Sequence, residues 1–124
     1  MIVGIGTDII EIVRFKRTVG NKHFVNRCYT GREQDYFMNR GKAAIASMAG
    51  FFAAKEAVVK ALGTGFHGFW PVDVEILHDE SGKPYTVLHG EAAAVAEKLC
   101  LNTLHVSISH CETYATAMAT VERV

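Results

Sequence analysis

The spacing of apolar and polar residues changes several times along this chain, and each change predicts an element. Over residues 2–13, Ile and Val occupy both alternating faces, the pattern of a buried strand. Gly4 and Gly6 interrupt it. Interior glycines weaken a strand, so they imply another backbone packed closely against it. Residues 14–19 predict a short helix ended near Gly20-Asn21. Thr30 with Glu33 three residues on is a capping box, opening a helix to about Met38. Asn39-Arg40-Gly41 breaks that pattern.

Residues 42–62 form the longest helical candidate, stopped by Gly63-Thr64-Gly65. Two strands, 72–77 and 85–88, flank the turn-rich stretch from Asp79 to Pro84. Residues 91–99 are Ala-rich and helical, and 105–109 with 114–121 make a final hairpin. One strand, several helices, a hairpin, a helix and a hairpin predict an α+β chain forming a single domain over 1–124.

Within the long helix, Ile45, Met48, Ala49, Phe52, Val59 and Gly63 share one stripe at 100° per residue. Glu56 lies in the middle of that stripe, with Lys60 at its edge one turn on. Phe51, Val58 and Leu62 make a second apolar arc, and alanines cover most of the remainder. An i, i+4 Glu–Lys pair on a solvated face is the ordinary reading. A helix apolar all round is buried, however, and its charges then need partners. Asp8 raises the same issue, because it shares a strand face with Ile2, Gly4, Gly6, Ile10 and Ile12. A turn or cap role for it is weakened by the apolar residues that continue to Val13. Two embedded carboxylates could hold one hard divalent cation, completed by phosphate oxygens and water.

His110 ends Val106-Ser107-Ile108-Ser109-His110 on the inward alternation, where a hydrogen-bonded structural role competes with a functional one. His23, His67, His78, His89 and His105 have no ligand spacing and read as surface residues. Gly63-Thr64-Gly65 could cradle phosphate through its N–H groups or serve only as a C-cap.

Composition narrows the class without naming it. Hydrophobic residues make up 49% and charged residues 21%, with 13 basic and 13 acidic side chains. That balance removes the basic excess expected of a nucleic-acid or anionic-membrane binder. Cys28, Cys100 and Cys111 are odd in number and scattered, which disfavours a disulfide framework and suits a reducing compartment. With no signal-peptide pattern or membrane span, a cytoplasmic location is expected.

Four ordered motifs bring these clues together. Gly4-Ile5-Gly6-Thr7-Asp8-Ile9-Ile10-Glu11 with Arg14 resembles the opening of the holo-acyl-carrier-protein synthases. Phe52-Ala53-Ala54-Lys55-Glu56-Ala57 through Lys60-Ala61-Leu62-Gly63-Thr64-Gly65 is similar to their central signature. Gly82-Lys83-Pro84, then Ser107-Ile108-Ser109-His110 with Tyr114-Ala115, match later landmarks in order. The resemblance implies the 4′-phosphopantetheinyl transferase fold, with antiparallel or mixed sheet packed on one long and several short helices. It implies transfer of 4′-phosphopantetheine from coenzyme A to a serine of apo-acyl carrier protein, in support of fatty acid biosynthesis.

By the same resemblance Asp8 and Glu56 would ligate Mg²⁺, and Glu56 and Lys60 would be catalytic. The base would be Glu56 or a magnesium-bound water. Lys42, Lys60, Gly63, Thr64, Gly65 and His110 would bind coenzyme A, and Arg14 would meet the carrier protein. A homotrimer with clefts shared between subunits is implied, and a non-enzymatic coenzyme A or nucleotide-binding module is the alternative. One position departs from the family: Phe51 stands where relatives commonly carry an arginine. It is expected beside the coenzyme, with membership of the apolar arc as the competing reading.

Overall fold

A computed structural model describes residues 1–124. Its elements are β1 (Ile2–Glu11), α1 (Ile12–Thr18), α2 (Lys22–Cys28), α3 (Gly31–Met38), α4 (Ala44–Leu62), β2 (Val74–His78), β3 (Pro84–Leu88), α5 (Gly90–Lys98), β4 (Thr103–His110) and β5 (Tyr114–Glu122). Short 3₁₀ turns at Gly41–Ala43 and Pro71–Asp73 lead into α4 and β2. The sheets are antiparallel throughout: three strands in the order β1-β5-β4, and the separate β2-β3 hairpin. No helix is long and apolar enough to cross a membrane.

Helix α4 is the central element, and small residues let it lie close to the larger sheet. Ala53, Ala54 and Ala57 on the helix are buried, as are Ala115, Ala117 and Ala119 along β5. On β1, a Cβ at Gly4 would overlap the carbonyl oxygen of Ala61, and one at Gly6 the carbonyl oxygen of Ala57. The close backbone approach inferred from those glycines is therefore present, and α4 supplies it. Register across the sheet pairs Gly6 with Ala119, Asp8 with Ala117 and Ile10 with Ala115, so all of these face the helix.

The capping box is realised in full. Thr30 Oγ1 accepts from Glu33 N, and Glu33 accepts from Thr30 N. Gly63 closes α4 in the left-handed region, at φ 80°. Two expectations need correcting. Residues 22–28 form α2, capped by the Asn21 side chain, where the Gly20-Asn21 break hid a helix. The outer face of β1 is also open in the single chain: Ile5 and Ile9 are 64% and 65% exposed, with Met118 beside them on β5.

Phe51 is 3% exposed and belongs to the core. Its ring lies 4.8 Å from Phe37, 5.3 Å from Tyr36 and 5.4 Å from His78. The apolar-arc reading holds, and the expectation of a coenzyme-facing ring is overturned by this packing. His78 is likewise no simple surface residue, since it stacks on Tyr36 at 4.8 Å with Nδ1 buried.

Candidate active site

Asp8 and Glu56 lie 48 positions apart in sequence, yet β1 and α4 bring them together. The glycines of β1 seat the strand against the helix, and the alternation that points Gly4 and Gly6 at α4 points Asp8 the same way. Its side chain is 18% exposed. Glu56 is half-buried on the facing side of the helix. Burial first, and then the nearby Asp8 carboxylate, hold the Glu56 carboxyl above its ordinary range, with Lys60 opposing. Lys60, one turn on, donates from Nζ to the Thr7 carbonyl at 2.9 Å and lies 3.3 Å from Asp8 Oδ1. Its side chain stays 53% exposed, and its ammonium can reach a further anion. Thr116 steadies the strand by donating its hydroxyl to the Asp8 carbonyl at 2.9 Å.

This cluster is short of positive charge, for two carboxylates meet one ammonium. Its members are aimed at one place and left partly open to solvent. Within one residue of Leu62 the chain enters Gly63-Thr64-Gly65, with φ of 80° at Gly63 and 62° at Gly65. Thr64 turns its hydroxyl to the Gly65 carbonyl at 2.9 Å. No group of three or more His, Cys, Asp or Glu is clustered as a ready cation cage.

Other expected residues lie apart. Lys42 is exposed on the 3₁₀ turn before α4, at the opposite end of the helix from Lys60. Eighteen residues separate them, which is roughly 27 Å along a helix. His110 ends β4 opposite Ala115, which in turn pairs with Ile10, two residues beyond Asp8. Arg14 projects from α1 with an 82% exposed side chain, its ionic neighbour Glu11 3.9 Å away. An apolar groove lined by Leu62, Thr86, Leu88, Leu101 and Leu104 carries no charge and does not include the acidic pair.

Sequence reasoning missed a second polar cluster on the other side of α4. Lys55 Nζ is fully buried, 2.9 Å from both oxygens of the equally buried Glu33. It also donates to the carbonyls of Val74 at 2.6 Å and Pro71 at 3.2 Å. Glu33 further accepts from Ile76 N at 2.9 Å. Next to it, the buried Glu75 accepts from Thr30 Oγ1 at 2.5 Å and Arg32 at 2.6 Å, with His89 Nε2 2.9 Å away. Burial pushes the Glu75 carboxyl up, but these three partners outweigh it and hold it down to about 2. The only signal in the sequence was Lys55 itself, a third charge beside Glu56 and Lys60 in a helix apolar nearly all round.

The model of the 4′-phosphopantetheinyl transferase superfamily matches residues 4–119, and the chain belongs to that family. A holo-[acyl-carrier-protein] synthase of Clostridium perfringens is 47% identical, over 98% of this chain and 95% of that protein. One from Fusobacterium nucleatum is 43% identical, over 98% and 99%. Among solved structures, the holo-[acyl-carrier-protein] synthase of Neisseria meningitidis superposes with TM-score 0.90 at 34% identity, covering 98% and 99%. The synthase of Bacillus anthracis in complex with CoA (3′,5′-ADP) gives 0.84 at 34%, covering 100% and 99%.

Proposed function

We propose that this chain is a holo-acyl-carrier-protein synthase, moving 4′-phosphopantetheine from coenzyme A to a carrier-protein serine. The observation that carries the reading is the converging set of Asp8, Glu56 and Lys60, with the Gly63-Thr64-Gly65 backbone beside it. A binding module has no need of two carboxylates held together against their mutual repulsion.

The donor set fits Mg²⁺. Asp8 and Glu56 offer hard oxygen ligands on facing elements, and a divalent cation held by both would relieve their mutual repulsion. When bound, the cation supplies charge neutralisation to the coenzyme A pyrophosphate. The remaining roles belong to the chain. Lys60 balances charge on the phosphates through its exposed ammonium. The N–H groups of 63–65 orient the pyrophosphate, and Lys42 and His110 bind other parts of coenzyme A.

The carrier serine oxygen forms a bond to the β-phosphorus, and the bond to the bridging oxygen breaks. Adenosine 3′,5′-bisphosphate leaves, and the serine proton passes to Glu56.

Lys42 and Lys60 are too far apart in one chain to grip the same part of one coenzyme. The open outer face of β1 and β5, bearing Ile5, Ile9 and Met118, is suited to self-association. Both features support a homotrimer whose clefts combine residues of neighbouring subunits. The holo-carrier product would serve fatty acid biosynthesis in the cytoplasm.

Incubation with coenzyme A, Mg²⁺ and apo-acyl carrier protein, followed by intact-mass analysis, tests the activity. A carrier heavier by one phosphopantetheine is expected. An unchanged carrier despite tight coenzyme binding would leave only a binding module.

A further inference from the structure

Between Leu62 and Val74 the chain forms a loop whose only regular element is the turn Pro71–Asp73. Its first residues are Gly63-Thr64-Gly65, the segment assigned above to the pyrophosphate. That end is tied covalently to α4 just beyond Lys60. At the other end, where Phe69 and Pro71 pack into the core, the polar tie to the same helix is Lys55, whose Nζ donates to the carbonyls of Pro71 at 3.2 Å and Val74 at 2.6 Å. The loop is thus a handle with both ends on α4.

The third partner of Lys55 is Glu33, which also accepts from Thr30 N at 2.8 Å and Ile76 N at 2.9 Å. Every polar group in the knot is satisfied. A buried ion pair of this kind is weak evidence of stabilisation, because apolar residues of similar volume commonly serve a core as well or better. What an apolar pair cannot do is fix two carbonyl oxygens in space. An ammonium with three directed donors does so.

We propose that Lys55 is a positioning residue for coenzyme A, holding the far end of the 63–74 loop so that the 63–65 backbone meets the pyrophosphate. This rests on the function proposed above. Lys55 touches no substrate and acts through the loop alone. The residue beside it, Glu56, faces the cleft, so neighbouring positions of one helix divide the labour between chemistry and placement.

The test is the double variant Lys55→Met/Glu33→Leu, which removes both charges and keeps the volume. Three measurements are made: melting temperature, amide hydrogen exchange in the free protein, and steady-state kinetics. Expected are a melting temperature near or above that of the wild type and, on the order of tenfold, faster exchange confined to amides 64–72. The coenzyme A Michaelis constant should rise about tenfold with kcat within about twofold, the mark of binding weakened equally in ground and transition states. A folded double variant with unchanged exchange and Michaelis constant overturns the proposal. So does a fall in kcat alone, which would locate the effect at Glu56.

If the double variant does not fold, Lys55→Met alone is measured, because Glu33, already raised by burial, binds a proton more readily still once its ammonium partner is gone. Failure of that variant to fold as well makes the pair a stability element and overturns the proposal. Hydrogen exchange involves no reaction. A wild-type chain that transfers nothing therefore sinks the functional reading, while the exchange result still decides whether Lys55 holds the loop.

Discussion

Lys55 and Glu56 are adjacent in sequence and opposite in circumstance. Lys55 is fully buried with acceptors on three sides, and its carboxylate partner is equally enclosed. Glu56 is half-buried, faces a second carboxylate, and shares a single exposed ammonium with it. The two clusters lie on opposite sides of α4 and are built from the same residue types. Partner count separates them. A charge whose hydrogen-bonding capacity is used up by the fold can only hold the fold together. A charge left short of partners, in a place that raises its proton affinity, is available to a ligand.

The largest effect expected from this contrast is loss of transfer on removing the open cluster. Asp8→Ala and Glu56→Ala should each lower transfer by about 10²- to 10³-fold, measured by intact mass of the carrier, while the metal-free protein melts no lower than the wild type. Removing one of two repelling carboxylates relieves strain in that state. Near-normal transfer by either variant would show that the open cluster is only surface charge.

Which parts of this contrast were legible in the sequence follows from what each part depends on. Gly4 and Gly6 announced a backbone contact because glycine weakens a strand and is kept inside one chiefly where another backbone comes close. Thr30 and Glu33 announced a cap because capping is local. The second task of Glu33, accepting from Lys55, is set by tertiary packing over 22 residues and leaves no local mark. Helix α2 was hidden because Asn21 reads equally as a break and as an N-cap. Spacing alone could not bring Asp8 to Glu56; only the resemblance did.

Phe51 also belongs to the closed side of α4, and its replacement tests how firmly. Phe51→Arg would bury an unpaired guanidinium among Tyr36, Phe37 and His78. A loss of roughly 3 kcal/mol or more in unfolding free energy is expected, with no gain in coenzyme affinity by calorimetric titration. Tighter binding at unchanged stability would return the position to the open side.

The two clusters should also respond to pH with opposite sign. Glu75 is held at about 2 against an ordinary 4.5, so its folded form binds fewer protons than its unfolded form. Its contribution to stability is present above pH 4.5 and fades as pH falls towards 2. Glu75→Gln should therefore lower the melting temperature at pH 7 and close the gap near pH 2. Glu56 is raised above 4.5, so it destabilises the metal-free protein only after it ionises. Glu56→Gln should then melt slightly higher than the wild type at pH 7 and equally at pH 3. Matching slopes for the two variants would erase the distinction between saturated and open charge.

Arg14 extends the same criterion to the surface, where the expected effect is smallest. Its side chain is 82% exposed, and its one ionic neighbour, Glu11, is 3.9 Å away, too far for a firm hydrogen bond. By partner count it is an open charge, although it lies on α1 and outside the acidic cluster. A solvated arginine contributes little to folding, so Arg14→Glu should leave the melting temperature within about a degree. If Arg14 meets an acidic carrier protein, reversing its sign turns attraction into repulsion during encounter. Rim charges act mainly on association and are screened by salt. The Michaelis constant for carrier protein should accordingly rise about fivefold at low ionic strength, with the constant for coenzyme A unchanged. Half a molar salt should remove most of the difference, because it shortens the Debye length to a few ångströms. A rise that persists in high salt would point to lost packing and not to charge. An unchanged carrier constant at low salt would place Arg14 outside the docking surface, and partner count would then predict function only inside the cleft.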